Sequence, residues 1–150
     1  MRHALTLATL LAVLPALARA EERATTKDAE AMVHQAVALV KKEGKERAFA
    51  VFDDPKGPFV FRDLYVTVYG LDGKCLAHGA NKARIGKALL DDKDADGKLF
   101  VRERIEIARK SGKGWQEYKF LNPVTKQVED KVAYLELVDD VIVVSGAYRR

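Results

Sequence analysis

The segment spanning residues 63–86, DLYVTVYGLDGKCLAHGANKARIG, constrains the fold of this chain most strongly. Leu64 to Tyr69 is rich in β-branched and aromatic residues, which favours a strand. Asp72-Gly73 is a tight-turn signal, and a second apolar run, Cys75 to Ala80, follows it. Two strands alone rarely form a stable fold, so this hairpin must belong to a larger sheet.

Helical patterns flank the hairpin on both sides. A helix is predicted from an N-cap at Thr25 or Thr26 to Gly44, with apolar residues at helical spacing along one face. A short second helix is predicted over Lys45 to Phe52, and a third over Leu99 to Ala108, ending at Ser111-Gly112.

Three further strands are predicted near the end of the chain: Trp115 to Leu121, Lys131 to Val138 and Val141 to Tyr148. Short turns join them, so they should form an antiparallel meander. Together with the hairpin they predict an α+β domain with one antiparallel sheet of about five strands. We expect helices to cover one face of that sheet.

The first twenty residues have the layout of a secretory signal peptide. Arg2 and His3 precede the apolar run Ala4 to Ala18, and Ala18-Arg19-Ala20 is a small-x-small cleavage site. The alternative is an uncleaved membrane anchor, but the run is shorter than the roughly 20 residues that a span needs. Residues 21–150 are therefore predicted to form one domain, periplasmic or secreted, with no membrane span after cleavage. Because no output domain follows, anything sensed must be reported through a separate partner.

Composition excludes several classes of function. The 26 basic and 22 acidic residues are interspersed and form no basic stripe, which argues against nucleic-acid binding. The lone Cys75 cannot form an internal disulfide, and a buried thiol is expected there. We find no hydrolase motif, phosphate loop or haem-attachment motif, so the sequence predicts neither an enzyme nor a cofactor.

One stretch matches a calcium-binding loop. Asp92, Asp94, Asp96, Gly97 and Glu103 fit the pattern D-x-D-x-D-G-x5-E, which supplies carboxylate ligands around a glycine turn. No clear helix precedes the motif and no second copy pairs with it. The alternative is an acidic loop followed by a helix whose first turn contains Glu103.

Polar donors also cluster on the predicted strands. His78 and Asn81 follow the second hairpin strand and suit a polar pocket over the sheet. The meander carries Trp115, Tyr118, Lys131, Tyr134 and Tyr148, whose polar atoms would suit a small carboxylate. Strand alternation divides this set between the two faces, so only about half of it can line one pocket.

These elements, in their order and spacing, resemble a single Cache domain of the second type over about Ala29 to Tyr148. The residues that carry the resemblance are Leu64-Tyr65-Val66, Asp72-Gly73, Leu76-Ala77-His78-Gly79, Asn81, Ile85-Gly86-Lys87, Asp94 to Phe100, Gly112 to Tyr118, Asn122-Pro123, Lys131, Tyr134 and Gly146-Ala147-Tyr148.

The resemblance implies a PAS-like fold, with a long N-terminal helix packed on a five-stranded antiparallel sheet. It also implies extracellular sensing of small carboxylates such as acetate, propionate, lactate or pyruvate. An Asp-x-Asp-Gly-Lys loop is ordinary in such domains, which weighs against calcium. By that likeness, the ligand-binding residues would be Tyr65, His78, Asn81, Trp115, Tyr118 and Lys131.

Three functions follow as hypotheses. The first is a freestanding binding module for a small organic anion, with Lys131 paired to the carboxylate, His78 and Tyr118 hydrogen-bonded to it, and Trp115 as an apolar wall. The second is a calcium-stabilised module. The third is a partner subunit of a membrane receptor or sensor kinase, without a ligand of its own.

Overall fold

The structure, a computed structural model, describes residues 23–149 of the chain. Its first element is a helix with a complete N-terminal cap. The predicted signal peptide and its cleavage site lie outside these residues. Helix α1 runs over Thr26–Glu43, and Thr25 and Asp28 form a reciprocal capping box at its start. Gly44, at φ +82°, ends the helix. None of the helices in residues 23–149 is both long and apolar enough to cross a bilayer.

Seven strands and two further helices follow. Helix α2 spans Lys45–Phe52, and α3 spans Phe100–Ser111. The strands are β1 Val60–Phe61, β2 Leu64–Tyr65, β3 Thr67–Gly70, β4 Cys75–His78, β5 Lys113–Leu121, β6 Val128–Val138 and β7 Val141–Tyr148. A short 3-10 turn covers Lys82–Arg84.

Strands β3 to β7 form one five-stranded sheet in the order β4-β3-β7-β6-β5, with every neighbouring pair antiparallel. The predicted α+β fold is therefore confirmed, including the hairpin at Asp72-Gly73 and the C-terminal meander. The hairpin joins the sheet through β3, which pairs with the last strand, β7.

Both faces of the sheet are covered, not one as the sequence analysis expected. Alternate residues of β7 point to opposite faces: Val141 and Val143 pack in the core beneath α1 and α2, while Ile142 and Val144 pack in the core beneath α3. The expectation failed because α3 is amphipathic too, and its apolar side needs a partner. The fold therefore has two cores, and the α3 side holds the candidate site.

The predicted strand Leu64 to Tyr69 is interrupted. Leu64–Tyr65 pairs with β1, which the sequence did not predict, and only Thr67–Gly70 joins the main sheet. Ser145 Oγ donates to the Tyr65 carbonyl at 2.9 Å, and Gly79 N–H donates to the Val66 carbonyl at 3.0 Å. These bonds hold the bend, and they place the Tyr65 side chain over the face that α3 covers.

Candidate ligand-binding site

Strand alternation sorts the polar residues of the meander as the sequence analysis anticipated. Tyr118 and Lys131 are cross-strand partners on the α3 face, while Trp115 and Tyr134 are partners on the α1 face. The Trp115 ring lies 5.0 Å from the Tyr134 ring, and its residue is 43% exposed. The structure therefore does not bring Trp115 together with Tyr118 and Lys131.

Lys131 lies at the centre of the polar group on the α3 face. It is 3% exposed, and its ammonium donates to Tyr65 OH at 3.0 Å and to Tyr148 OH at 3.3 Å. The two hydroxyls lie 3.2 Å apart, and Tyr148 OH donates to the Leu121 carbonyl at 2.8 Å. Across residues 23–149, no carboxylate forms an ion pair with Lys131.

Burial makes this ammonium costly. The pKa of Lys131 lies well below its usual range because the side chain is desolvated and because the Arg104 cation repels it, while the Asp63 carboxylate opposes the shift weakly. Its present partners are neutral phenols. An anion beside Nζ would supply the negative charge that these neutral phenols lack.

His78 is held as a neutral donor next to this lysine. Its Nδ1 accepts the backbone N–H of Ala80 at 3.2 Å and of Asn81 at 2.9 Å, so the proton of the neutral ring is on Nε2. Burial first, and then the charges of Lys131, Arg84 and Arg104, lower the pKa of His78 to about 3.

The His78 ring also stacks on that of Tyr65, with centroids 5.1 Å apart and planes at 23°. Within the described residues, Nε2 has no hydrogen-bond partner. The imidazole therefore presents one N–H that is available for a bound molecule.

Asn81 has a different position from the other predicted site residues. It is exposed, and its side-chain oxygen accepts the Ala83 N–H at 3.1 Å, which caps the 3-10 turn over Lys82–Arg84. Its backbone N–H orients the His78 ring. The structure thus places Asn81 beside the buried group, and its side chain is not part of that group.

Arg104 is a member of the site that the sequence analysis missed. It is 1% exposed on α3, its Nε donates to Gln116 Oε1 at 3.2 Å, and a terminal nitrogen donates to Tyr118 OH at 3.1 Å. No carboxylate in residues 23–149 pairs with it. The sequence did contain a signal, because Arg104 lies at the helical spacing i+4 between Phe100 and Ala108 on the apolar face.

Arg84 adds a third cation. One terminal nitrogen pairs with Asp92 at 2.6 Å, but its Nε is buried and has no hydrogen-bond partner in the described chain. The Arg84 guanidinium and the Lys131 ammonium both approach the Phe120 ring, at 5.2 and 5.5 Å from its centroid. The Nε–H of Arg84 is therefore a hydrogen-bond donor that the described chain does not use.

The phenols complete the electrostatic environment. Burial is the largest cause of the raised pKa values of Tyr65, Tyr118 and Tyr148, so all three hydroxyls keep their protons at neutral pH. The buried group therefore combines neutral hydroxyls, one neutral imidazole and cations that lack enough acidic partners. Such an arrangement favours a small anion.

The carboxylates of the calcium-like motif do not converge. Within residues 23–149, no three acidic or histidine side chains form a group that could hold a metal ion. Each carboxylate has its own partner: Asp92 pairs with Arg84, Asp94 with backbone N–H groups, Asp96 with Lys119 and Glu103 with Lys98. The geometry gives no support to the calcium hypothesis.

Comparison with known proteins agrees with the fold. The sequence model of the family described as Single Cache domain 2 matches residues 6–150. The sensor histidine kinase MctS of Rhizobium johnstonii is 36% identical over 78 residues, which is 52% of this chain but only 17% of the kinase.

Solved structures show the same fold. A methyl-accepting chemotaxis protein from Vibrio parahaemolyticus superposes with a TM-score of 0.71 and 22% identity, covering 81% of this chain and 86% of that one. A Cache chemosensory domain, whose structure was described as the basis for carboxylic acid recognition, superposes with a TM-score of 0.66 and 20% identity. The match covers 83% of this chain and 88% of that one.

Proposed function

The chain belongs to the single Cache domain 2 family, and on that premise we propose that it binds a small carboxylate between the sheet and α3. The observation that carries the proposal is the buried ammonium of Lys131, whose partners in the described chain are two neutral phenols. A carboxylate beside it would form a charge-assisted hydrogen bond in a site of low dielectric.

Each neighbouring group takes a role that its geometry allows. Lys131 pairs with the carboxylate, while His78 Nε2–H and the hydroxyls of Tyr65 and Tyr118 donate hydrogen bonds to its oxygens. Arg104 adds positive charge from the α3 side. The apolar wall is assigned to Phe120, since Trp115 lies on the opposite face.

The proposed role is binding and not catalysis. General acid–base chemistry near neutral pH needs a group that titrates there. The pKa of His78 is lowered to about 3, and those of Tyr65 and Tyr148 are raised by burial. These three groups therefore keep one protonation state near neutral pH and act as fixed hydrogen-bond donors, whereas the lowered pKa of Lys131 makes its protonation depend on the bound anion.

We propose that this binding is sensory and takes place in the periplasm or after secretion. Relatives and structural neighbours include a sensor kinase and a chemotaxis protein. A membrane receptor or sensor kinase is the proposed partner, because proteins that contain similar domains include a sensor kinase and a methyl-accepting chemotaxis protein.

One observation favours the alternative of a partner subunit without a ligand. Lys131, Tyr65 and Tyr148 already satisfy one another by hydrogen bonds at 3.0 to 3.3 Å. The two functions differ in a measurable way, since only the first requires that a carboxylate displace or join this triad.

Isothermal titration with acetate, propionate, lactate and pyruvate tests the proposal, using the wild type and Lys131→Met. The substitution keeps the side-chain length and removes the buried charge, so we expect lost binding and an unchanged or higher melting temperature. Lys110→Met, at an exposed position near the end of α3, is the control and should bind as wild type does. Equal binding by Lys131→Met, or none by the wild type, would contradict the proposed function.

A further inference from the structure

Arg84 carries a buried hydrogen-bond donor that the proposed ligand contacts leave unused. Its side chain is 18% exposed, and one terminal nitrogen donates to Asp92 Oδ2 at 2.6 Å. The Nε–H of the same guanidinium is buried and has no hydrogen-bond partner in residues 23–149. Burial of such a group costs free energy, because the N–H loses its bond to water and gains none in return. This donor is therefore available to a bound molecule.

The turn that carries Arg84 holds it in one place. The Asn81 side-chain oxygen accepts the Ala83 N–H at 3.1 Å, and the Asn81 carbonyl accepts the Arg84 N–H at 3.2 Å. The Asp92 carboxylate then fixes the far end of the guanidinium. A donor that is already ordered loses little conformational entropy when it binds a ligand. Asn81, which the family resemblance assigned to the ligand, thus positions Arg84.

Arg84 is a neighbour of both groups that were assigned to the carboxylate. Its guanidinium and the Lys131 ammonium approach the same ring, that of Phe120, at 5.2 and 5.5 Å from the centroid. Burial is the largest cause of the lowered pKa of His78, the Lys131 charge is the second and the Arg84 charge is the third. The charge of Arg84 therefore acts at the imidazole as well as beside the ammonium.

The carboxylate of the proposed ligand has no lone pair left for a further donor. An ionised carboxylate offers about four lone-pair positions on its two oxygens. These positions are already assigned to the Lys131 ammonium, the His78 Nε2–H and the hydroxyls of Tyr65 and Tyr118. The Nε–H of Arg84 therefore requires an acceptor elsewhere on the molecule. Because Arg84 is close to the other donors, that acceptor belongs on a carbon close to the carboxylate.

We propose that Arg84 selects acids with an oxygen on the carbon next to the carboxylate, and that its Nε–H donates a hydrogen bond to this oxygen. The ligand class is then the 2-hydroxy and 2-oxo acids, such as lactate and pyruvate, in preference to acetate and propionate. This inference rests on the proposed function, because Arg84 acts on the same bound molecule. An unsubstituted acid leaves the buried Nε–H without an acceptor, and a site of this kind discriminates strongly against a ligand that lacks the bonded group.

Isothermal titration with lactate and propionate tests the inference, since the two acids differ only in the 2-hydroxyl group. Pyruvate provides the same comparison for a 2-oxo group. The test variant is Arg84→Lys, which keeps a positive charge beside Asp92 and replaces the Nε–H by a methylene group. The control is Arg102→Lys, which makes the same exchange at an exposed arginine that pairs with Asp91 of the same loop.

We expect the wild type and Arg102→Lys to bind lactate at least about tenfold more tightly than propionate, as one hydrogen bond from a charged donor provides. Arg84→Lys should bind propionate as the wild type does and should lose the preference for lactate. Equal affinity of the wild type for both acids, or a preference that survives in Arg84→Lys, overturns the inference and leaves the proposed function intact. Loss of propionate binding by Arg84→Lys also overturns it, because Arg84 would then act on the carboxylate or on the fold. A wild type that binds none of the acids overturns both proposals.

Discussion

At the scale of single residues, burial determines the protonation state of His78. The unfolded ring has a pKa of 6.5, and the folded one has a pKa of about 3. Between these values the unfolded chain binds a proton that the folded chain does not. The stabilising contribution is therefore complete above about pH 6.5, and it is lost as the pH falls toward 3.

A His78→Asn variant tests this linkage. Its side-chain oxygen can replace Nδ1 as the acceptor for the Ala80 and Asn81 N–H groups, but it does not titrate. One proton contributes about 1.4 kcal/mol per pH unit, and the unfolded ring is already half protonated at pH 6.5, so between pH 6.5 and 5 the wild type should lose about 1.6 kcal/mol more than the variant. Urea unfolding of both proteins at the two pH values measures the difference. Parallel losses would show that His78 titrates freely in the folded protein.

Residue positions could be predicted from the sequence to the extent that strand alternation determines them. Alternation assigned Trp115 and Tyr118 to opposite faces, as the structure does, whereas the ligand set taken from the family resemblance had placed both in one pocket. Arg104 was missed because a charged residue on a helix is normally assigned to the solvent side. Only the packing of α3 on the sheet shows that its guanidinium is enclosed by Gln116, Tyr118 and Tyr69.

At the scale of elements, strand β7 makes room for the site. Gly146 pairs with Ala133, and a Cβ added at Gly146 would lie 2.8 Å from both Ala133 Cβ and Lys131 Cε. The glycine therefore allows the stem of Lys131 to cross β7 toward the tyrosines. Ala133 is on the neighbouring strand and its backbone also lies within 3.0 Å, so little relaxation is available.

We expect Gly146→Ala to lower the free energy of unfolding by about 1–3 kcal/mol and to weaken carboxylate binding, because it displaces Lys131. Gly70→Ala on β3 is the control. A Cβ at Gly70 would meet Asp72 Oδ1 at 2.6 Å, which is the far end of an exposed side chain that can turn away. Chemical denaturation and titration calorimetry on both variants measure the two effects. A Gly146→Ala protein with wild-type stability and binding would mean that Lys131 does not need this space.

Element boundaries were predicted best where local chemistry determines them. The capping box at Thr25 and the glycine at Gly44 fix α1 from within the element itself. The break at Val66 could not be predicted, because Ser145 and Gly79 hold it from other parts of the chain. Likewise, the turn sequences predicted the meander, but they did not indicate which of its strands the N-terminal hairpin would pair with.

At the scale of the whole molecule, the acidic loop before α3 covers the open edge of the sheet. Asp94 Oδ1 accepts the N–H groups of Asp96 and Lys98, and Asp94 Oδ2 accepts that of Lys119 on the edge strand β5, all at 2.8 to 2.9 Å. One carboxylate thus orders the loop and ties it to the sheet. An edge strand protected in this way is less available for pairing with another chain.

The contacts of this loop predict that it does not bind calcium, which is the opposite of what its sequence motif predicts. The four carboxylates already engage Arg84, Lys98, Lys119 and backbone N–H groups, so a cation would have to compete with each contact. We expect the same melting temperature in calcium and in chelator. Asp94→Ala should lower it in both solutions by several degrees, since its removal breaks three hydrogen bonds that order the loop and tie it to β5. Asp91→Ala is the control, because it removes a carboxylate of the same loop that bonds only the exposed Arg102. Differential scanning calorimetry measures all three proteins. A rise with calcium that Asp94→Ala abolishes would show instead that the loop binds the cation and rearranges to do so.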